Sequence, residues 1–197
     1  MIVQYISKIA TPIVVSVLFS LVCIQLNSAY ANPKVLMETS KGDITIELYE
    51  KEAPKTVKNF LSYVSEGFFN DLIFHRVIKN FMIQGGGFDT EMRQKDPKAP
   101  IKNEARRGLG NKRGTLAMAR TNIIDSATAQ FFINLVNNDS LNHKNDTHAG
   151  FGYAVFGEVI KGMDVVDSIG KAKTGVFNGF RDVPKEPIII QRMSIIE

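Results

Sequence analysis

The sequence predicts a mainly β domain, an antiparallel barrel with helices closing its ends. Three observations lead there: about eight short β-prone runs, only two segments with helical periodicity, and neither a βαβ rhythm nor an internal repeat.

The first two runs, residues 35–39 and 44–49, flank Ser40-Lys41-Gly42-Asp43, a turn composition that makes them a hairpin. Ile44, Ile46 and Leu48 alternate with Thr45, Glu47 and Tyr49, which gives one buried face. Pro54 opens a helix that carries Val57, Phe60, Leu61 and Val64 at i, i+3, i+4 and i+7, and Gly67 ends it. Strands over 73–78 and 81–84 follow, joined at Lys79-Asn80 and closed by Gly85-Gly86-Gly87. Residues 88–113 are polar and contain Pro97, Pro100, Gly108 and Gly110, so they form a long excursion. Strands resume at 115–119, 130–134 and 153–159, with an asparagine-rich loop over 136–150. A short helix around 162–170 buries Val165, Val166 and Ile169, and residues 188–196 are the last strand.

Composition narrows the class. Hydrophobic residues make up 44% and charged residues 22%, which excludes a disordered, collagen-like or polytopic membrane protein. Cys23 is the one cysteine, so an intramolecular disulfide and a cysteine-based metal cluster are both impossible. A net charge of +4 is too weak to imply a nucleic-acid partner. Thirteen Phe against five Tyr and no Trp supply apolar aromatic surface with few polar handles, and some of it is expected to line a pocket.

Residues 1–31 differ from the rest. Lys8 is their one charged side chain, Ile9 to Ile24 is apolar, and the segment ends Ala29-Tyr30-Ala31. A cationic start, an apolar stretch and a small-x-small terminus make a cleavable signal peptide. An anchor helix needs about 20 apolar residues, more than this run offers. Removal after Ala31 would leave 32–197 as a cysteine-free exported domain, located in the periplasm and without stable membrane association.

The middle of the chain is specific. Phe69 is followed by Phe74-His75-Arg76-Val77-Ile78 and Phe81-Met82-Ile83-Gln84-Gly85-Gly86. Residues 114–119 (Gly-Thr-Leu-Ala-Met-Ala), 129–133 (Ala-Gln-Phe-Phe-Ile) and 154–159 (Ala-Val-Phe-Gly-Glu-Val) follow in order. These four blocks resemble the cyclophilin peptidyl-prolyl isomerases, most closely their bacterial exported branch, from about Pro33 to the C-terminus. The resemblance implies a closed eight-stranded antiparallel barrel capped by two α-helices, with the active site on the outer wall. It implies isomerisation of X-Pro bonds in exported proteins, with Arg76 catalytic and a proline pocket of Phe81, Met82, Phe132 and Leu141. Gln84 and Gln130 would orient substrate, and the backbone of Arg120, where relatives usually carry Asn, would hold its chain. Tyr153 stands where many members place a pocket histidine. Ser140 stands where many members carry the Trp that packs on cyclosporin. No cofactor is implied. The expected partners are proline-containing unfolded or folding polypeptides, met by a monomer.

The residue types suit that chemistry. Rotation about a peptide C–N bond costs about 18–20 kcal/mol because it destroys amide resonance. No bond is made or broken, so neither nucleophile nor metal is required. Strand parity puts Gln130 and Phe132 on one face, with Phe131 and Ile133 on the other. Phe81 and Gln84 differ in parity, so that strand bends or the site uses its end.

Blander readings compete at several positions. Phe74, Ile83 and Phe131 are expected in the core, and His75 is expected to be a structural histidine facing away from Arg76. His143 and His148 lack metal-ligand spacing, and Gly85-Gly86-Gly87 lacks the strand–glycine–helix context of a phosphate cradle. Lys102, Arg106, Arg107, Lys112, Arg113 and Arg120, with Glu104 among them, read as a solvated loop. The alternative to an enzyme is a non-catalytic proline-peptide binding or chaperone module. The intact set Arg76, Phe81, Gln84 and Phe132 argues against it.

Overall fold

The structure is a computed structural model that describes residues 32–105 and 108–196. The expected leader with Cys23, and Arg106 and Arg107 of the basic loop, lie outside the described residues.

Alternating side chains build the sheet. The hairpin is β1 (Lys34–Thr39) and β2 (Gly42–Leu48), and Val35, Met37, Ile44, Ile46 and Leu48 are fully buried on its inner face. The remaining strands are β3 (Leu72–Ile73), β4 (Arg76–Ile78), β5 (Met82–Gly85), β6 (Thr115–Met118), β7 (Phe131–Asn134), β8 (Val155–Lys161), β9 (Thr174–Phe177), β10 (Phe180–Pro184) and β11 (Ile189–Ile196). Nine of them form one antiparallel sheet in the order β3-β11-β1-β2-β8-β6-β7-β5-β4.

That order explains the expected count of eight. The two edges, β3 and β4, are separated in sequence only by Phe74-His75. Residues 72–78 are thus one interrupted strand that pairs with β11 first and with β5 after it, so the chain itself closes the ring. The Phe74 N–H still donates to the Ile188 carbonyl at 2.9 Å, bridging the interruption.

The interior is aromatic. Helix α1 (Pro54–Ser65) inserts Phe60, whose ring lies 5.2, 5.7 and 5.1 Å from Phe69, Phe131 and Phe156. Phe74, Ile83 and Phe131 are fully buried, as their pattern requires. Helix α2 (Met163–Gly170) buries Val166 and Ile169, whereas Val165, expected to be buried with them, is only partly covered.

Two expectations need correction. Glu104 is not a solvated loop residue. Its carboxylate is buried and accepts hydrogen bonds from the Lys55 and Thr56 N–H groups at 3.3 and 2.8 Å and from the Thr56 hydroxyl at 2.8 Å. It therefore caps α1, which has no capping side chain of its own, and its charge complements the helix dipole. Residues 174–184, to which sequence gives no element, form a second two-stranded sheet, the β9–β10 hairpin. Asn178 and Gly179 turn it with φ of 48° and 82°, the positive pair a two-residue hairpin turn demands.

Candidate active site

The sheet register assembles the site. Arg76 of β4 pairs with Gln84 of β5, Gln84 with Phe132 of β7, Phe132 with Ala117 of β6, and Ala117 with Val155 of β8. Directly opposed residues point to the same face of a sheet, so this is one row across five strands. Their sequence neighbours Val77, Ile83, Phe131, Ile133, Leu116 and Phe156 are buried in the barrel core, which puts the row on the outer wall. Met82, Ala117, Phe132 and Val155 are nevertheless buried as well, forming a separate apolar cluster with Phe81, Leu141 and Tyr153 packed against it.

A groove of about 390 Å³ runs along this row. Arg76, Phe81, Met82, Gln84, Arg120, Gln130, Phe132, Leu141 and Tyr153, all nine residues expected from sequence, line it. The parity difference between Phe81 and Gln84 resolves at the strand end: Phe81 precedes β5, in the turn where its N–H donates to the Ile78 carbonyl at 3.1 Å. Asn138 then holds that turn, its side-chain amide donating to the Phe81 carbonyl at 2.9 Å.

The polar groups are braced. Gln84 donates to the Gln130 side-chain carbonyl at 2.9 Å, so the two amides fix each other. The glycine triplet makes room for this pair. A Cβ at Gly87 would sit 2.6 Å from the Gln130 amide, and one at Gly86 2.9 Å from the Phe131 ring. Arg76 faces Asp182 of β10, with Nε 3.7 Å from the carboxylate, and both side chains are about two-fifths exposed. An ion pair this open contributes little to stability, but it orients the guanidinium through Nε and leaves the two terminal nitrogens for a ligand.

The Arg120 side chain is half-buried, not part of a solvated loop. Its guanidinium donates to the carbonyls of Gly152, Thr121 and His148, each at 2.9 Å, and lies 4.9 Å over the Tyr153 ring. Tyr153 in turn meets Phe132 edge-on at 5.7 Å. The arginine thus locks the loop that carries the pocket tyrosine. His143 and His148 staple the same loop through Nδ1 contacts of 2.9 Å to the Phe151 and Asn122 carbonyls.

His75 is buried beneath the groove with its ring 4.7 Å from Phe88. Burial, with the neighbouring Arg76 charge adding to it, pushes its imidazole down to about pKa 4. A ring neutral at pH 7 and packed on phenylalanine fits the structural role expected of it. His75 does not, however, face away from Arg76: both line the groove, because the chain leaves regular strand geometry at Phe74-His75 and strict alternation lapses.

Sequence reasoning missed five lining residues: His75, Phe88, Ala119, Phe180 and Arg181. The usable signal for the last two was Asn178-Gly179, a hairpin dipeptide between Phe177 and Phe180.

The comparisons with known proteins agree with this geometry. Residues 34–195 match the family model for cyclophilin type peptidyl-prolyl cis-trans isomerases. The chain is 57% identical over 163 residues to peptidyl-prolyl cis-trans isomerase B of Escherichia coli, covering 83% of this chain and 99% of that one. It is 50% identical over 170 residues to peptidyl-prolyl cis-trans isomerase A of Dickeya dadantii, covering 86% and 88%. The crystal structure of a cyclophilin type isomerase from Cryptosporidium parvum superposes with a TM-score of 0.69 at 27% identity, covering 84% and 98%. The same parasite enzyme, crystallised in the presence of the dipeptide Ala-Pro, gives 0.68 at 28% identity, covering 83% and 99%. The outer-wall groove, the closed ring of strands and these matches lead to one conclusion: the chain belongs to the cyclophilin-type peptidyl-prolyl cis-trans isomerases.

Proposed function

We propose that this isomerase acts on proline-containing polypeptides exported to the periplasm, as a monomer freed from residues 1–31, and that Arg76 is its catalytic donor. What supports the catalytic assignment is the row Arg76–Gln84–Phe132. Two strand spacings separate Arg76 from Phe132, about 10 Å, so a guanidinium can reach over a proline ring seated on Phe132.

The reaction follows from that arrangement. As the X-Pro bond twists, the proline nitrogen becomes pyramidal and regains its lone pair. A donor aimed at that nitrogen binds the twisted state and not the planar one, which is the condition for catalysis. Arginine suits the task because it is always charged and presents a rigid fork of donors. Phe81, Met82, Phe132, Leu141 and Tyr153 grip the ring and exclude water. Gln84 and Gln130 hold the rotating carbonyl, and the main chain at Arg120 pairs with the substrate backbone. The bonds on either side of Arg120 support this last role, since the Ala119 and Thr121 N–H groups are already taken by the Gln130 carbonyl and the Ser126 hydroxyl.

Because His75 is neutral down to about pH 4, kcat/KM is expected to stay nearly flat between about pH 6 and 8. Chelator and reductant are expected to have no effect. A steep acid limb near pH 6.5, removed by His75→Gln in a folded variant, would return the chemistry to histidine.

The export reading rests on the composition of residues 1–31. Among the described residues no helix is long and apolar enough to cross a membrane. Mass spectrometry of the exported protein is expected to find Asn32 at the N-terminus. A product retaining residues 1–31 would make this a membrane-anchored isomerase instead.

A further inference from the structure

Apolar surface is exposed unevenly. Among the described residues six large hydrophobic side chains are exposed, and three of them, Val176 at 72%, Phe177 at 46% and Phe180 at 42%, belong to the β9–β10 hairpin. Phe177 and Phe180 are direct cross-strand partners and so share a face. The inner edge of Phe180 rests on Phe88 at 5.3 Å, while its remaining surface, with Arg181, forms the end of the groove beyond Arg76. The hairpin is held to that end by Asp182, the partner of Arg76, at a bulge where its φ is 61°. A non-glycine residue in that conformation is strained, which is tolerated where the fold needs the side chain re-aimed.

We infer that the hairpin is a second recognition surface for the substrate polypeptide: Phe180 takes an apolar side chain on the chain that flanks the isomerising proline. The inference rests on the isomerase reading of the groove and extends it to the flanking sequence. What identifies the occupant is continuity. Phe132, Gln84, Arg76 and Phe180 line one uninterrupted groove, so a polypeptide with its proline on Phe132 runs past Arg76 onto the hairpin. From Phe132 to Arg76 is two strand spacings, about 10 Å, and β10 lies against β4 beyond it, so an extended chain needs at least about three residues to reach the hairpin. The volume is also that of several residues, since pockets of about 300–1,000 Å³ hold ligands much larger than a proline ring. Arg76 and Arg181 at this end disfavour a lysine or arginine flank.

The test compares peptides that share one Xaa-Pro core and carry Phe, Gly or Lys at two to five positions on either side of the proline. Wild-type protein is expected to give a kcat/KM for the Phe flank about tenfold above the Gly flank at one or two of those positions, mainly through KM, since covering a half-exposed Phe is worth about a decade. The Lys flank should fall at or below Gly. In Phe180→Ser that Phe-to-Gly ratio is expected to collapse to about one, whatever happens to the absolute rates. A wild-type ratio of one at every position, or an unchanged ratio in Phe180→Ser, overturns the inference. So does a concentration-dependent dimer, seen by sedimentation and abolished by Phe180→Ser, because the surface would then serve a second copy. Absence of wild-type activity on the Gly-flank peptide would instead refute the isomerase reading itself, so the two failures are distinguishable.

Discussion

Cyclosporin is expected to bind this protein roughly two to three decades more weakly than relatives that carry tryptophan in place of Ser140. A lost indole face of ~100 Å² is worth about 2.5 kcal/mol at ~25 cal/mol per Å². The missing indole N–H bond adds about 0.5–1.5 kcal/mol, and each ~1.4 kcal/mol is a decade. The structure places Ser140 suitably for this. It is the exposed middle residue of the 3-10 turn Asp139–Leu141, directly before groove-lining Leu141. That turn is anchored on both sides: the Asn138 side chain donates to the Phe81 carbonyl, and the Tyr153 N–H donates to the Leu141 carbonyl at 3.0 Å. A tryptophan at 140 can therefore be added at the rim without moving the pocket. Ser140→Trp is expected to gain most of the missing affinity, read as an inhibition constant, with little change in kcat/KM. Strong inhibition of the wild type, or an indifferent Ser140→Trp, would place the drug-contacting position elsewhere.

Acid is expected to destabilise the domain through His75, by about 3 kcal/mol between pH 7 and 4. The folded imidazole is held down to about 4 by burial first and by Arg76 second, whereas in the unfolded chain it titrates near 6.5. Between those values the unfolded state binds the extra proton. Stability is then complete above about pH 7 and is lost as pH falls through 6.5 toward 4, at about 1.36 kcal/mol per pH unit. Protonation would place a cation against Phe88 and beside Arg76, and the Ile73 backbone, which favours the protonated ring, offsets only part of that cost. Denaturant titrations across this range are the check. His75→Gln is expected to lower stability at pH 7 while removing most of the pH dependence. An equally steep loss in His75→Gln would assign the acid sensitivity to the carboxylates, of which Asp89 and Asp167 are also held below their usual range by Arg93 and Arg113.

The staves of the barrel were legible because one face of each is buried. Ile44, Ile46 and Leu48 alternate with polar neighbours, and both periodicity and burial agree there. On β6 and β7 the alternation fails, since every residue from Thr115 to Met118 and from Phe131 to Asn134 is buried. The core covers one face of those strands and the groove cluster covers the other. Periodicity therefore cannot separate Phe132 of the site from Phe131 of the core; the order and spacing of the motif blocks could. The phenylalanine surplus divides the same way, with Phe60, Phe69, Phe74, Phe131 and Phe156 inside and Phe81, Phe88, Phe132 and Phe180 at the groove. The β9–β10 hairpin escaped because Gly175, Asp182 and Pro184 break its pattern, and its bulge shifts the register between Phe180 and Val183. Glu104 escaped for a different reason: its partners Lys55 and Thr56 are far away in sequence, and no local rule links a loop carboxylate to a distant helix start.

The central claim is that the Arg76 guanidinium, set on the outer wall beside a proline seat, stabilises the twisted amide. A charge-assisted hydrogen bond contributes about 1.5–3 kcal/mol, and each ~1.36 kcal/mol is tenfold in rate. The direct measurement is kcat/KM on a short X-Pro peptide for residues 32–197 carrying Arg76→Ala or Arg76→Lys, with circular dichroism and melting to verify the fold. Arg76→Ala is expected to lose one to two decades at nearly unchanged stability, and Arg76→Lys to recover only a fraction, since it lacks the fork. Wild-type kcat/KM in a well-folded Arg76→Ala variant would contradict the account.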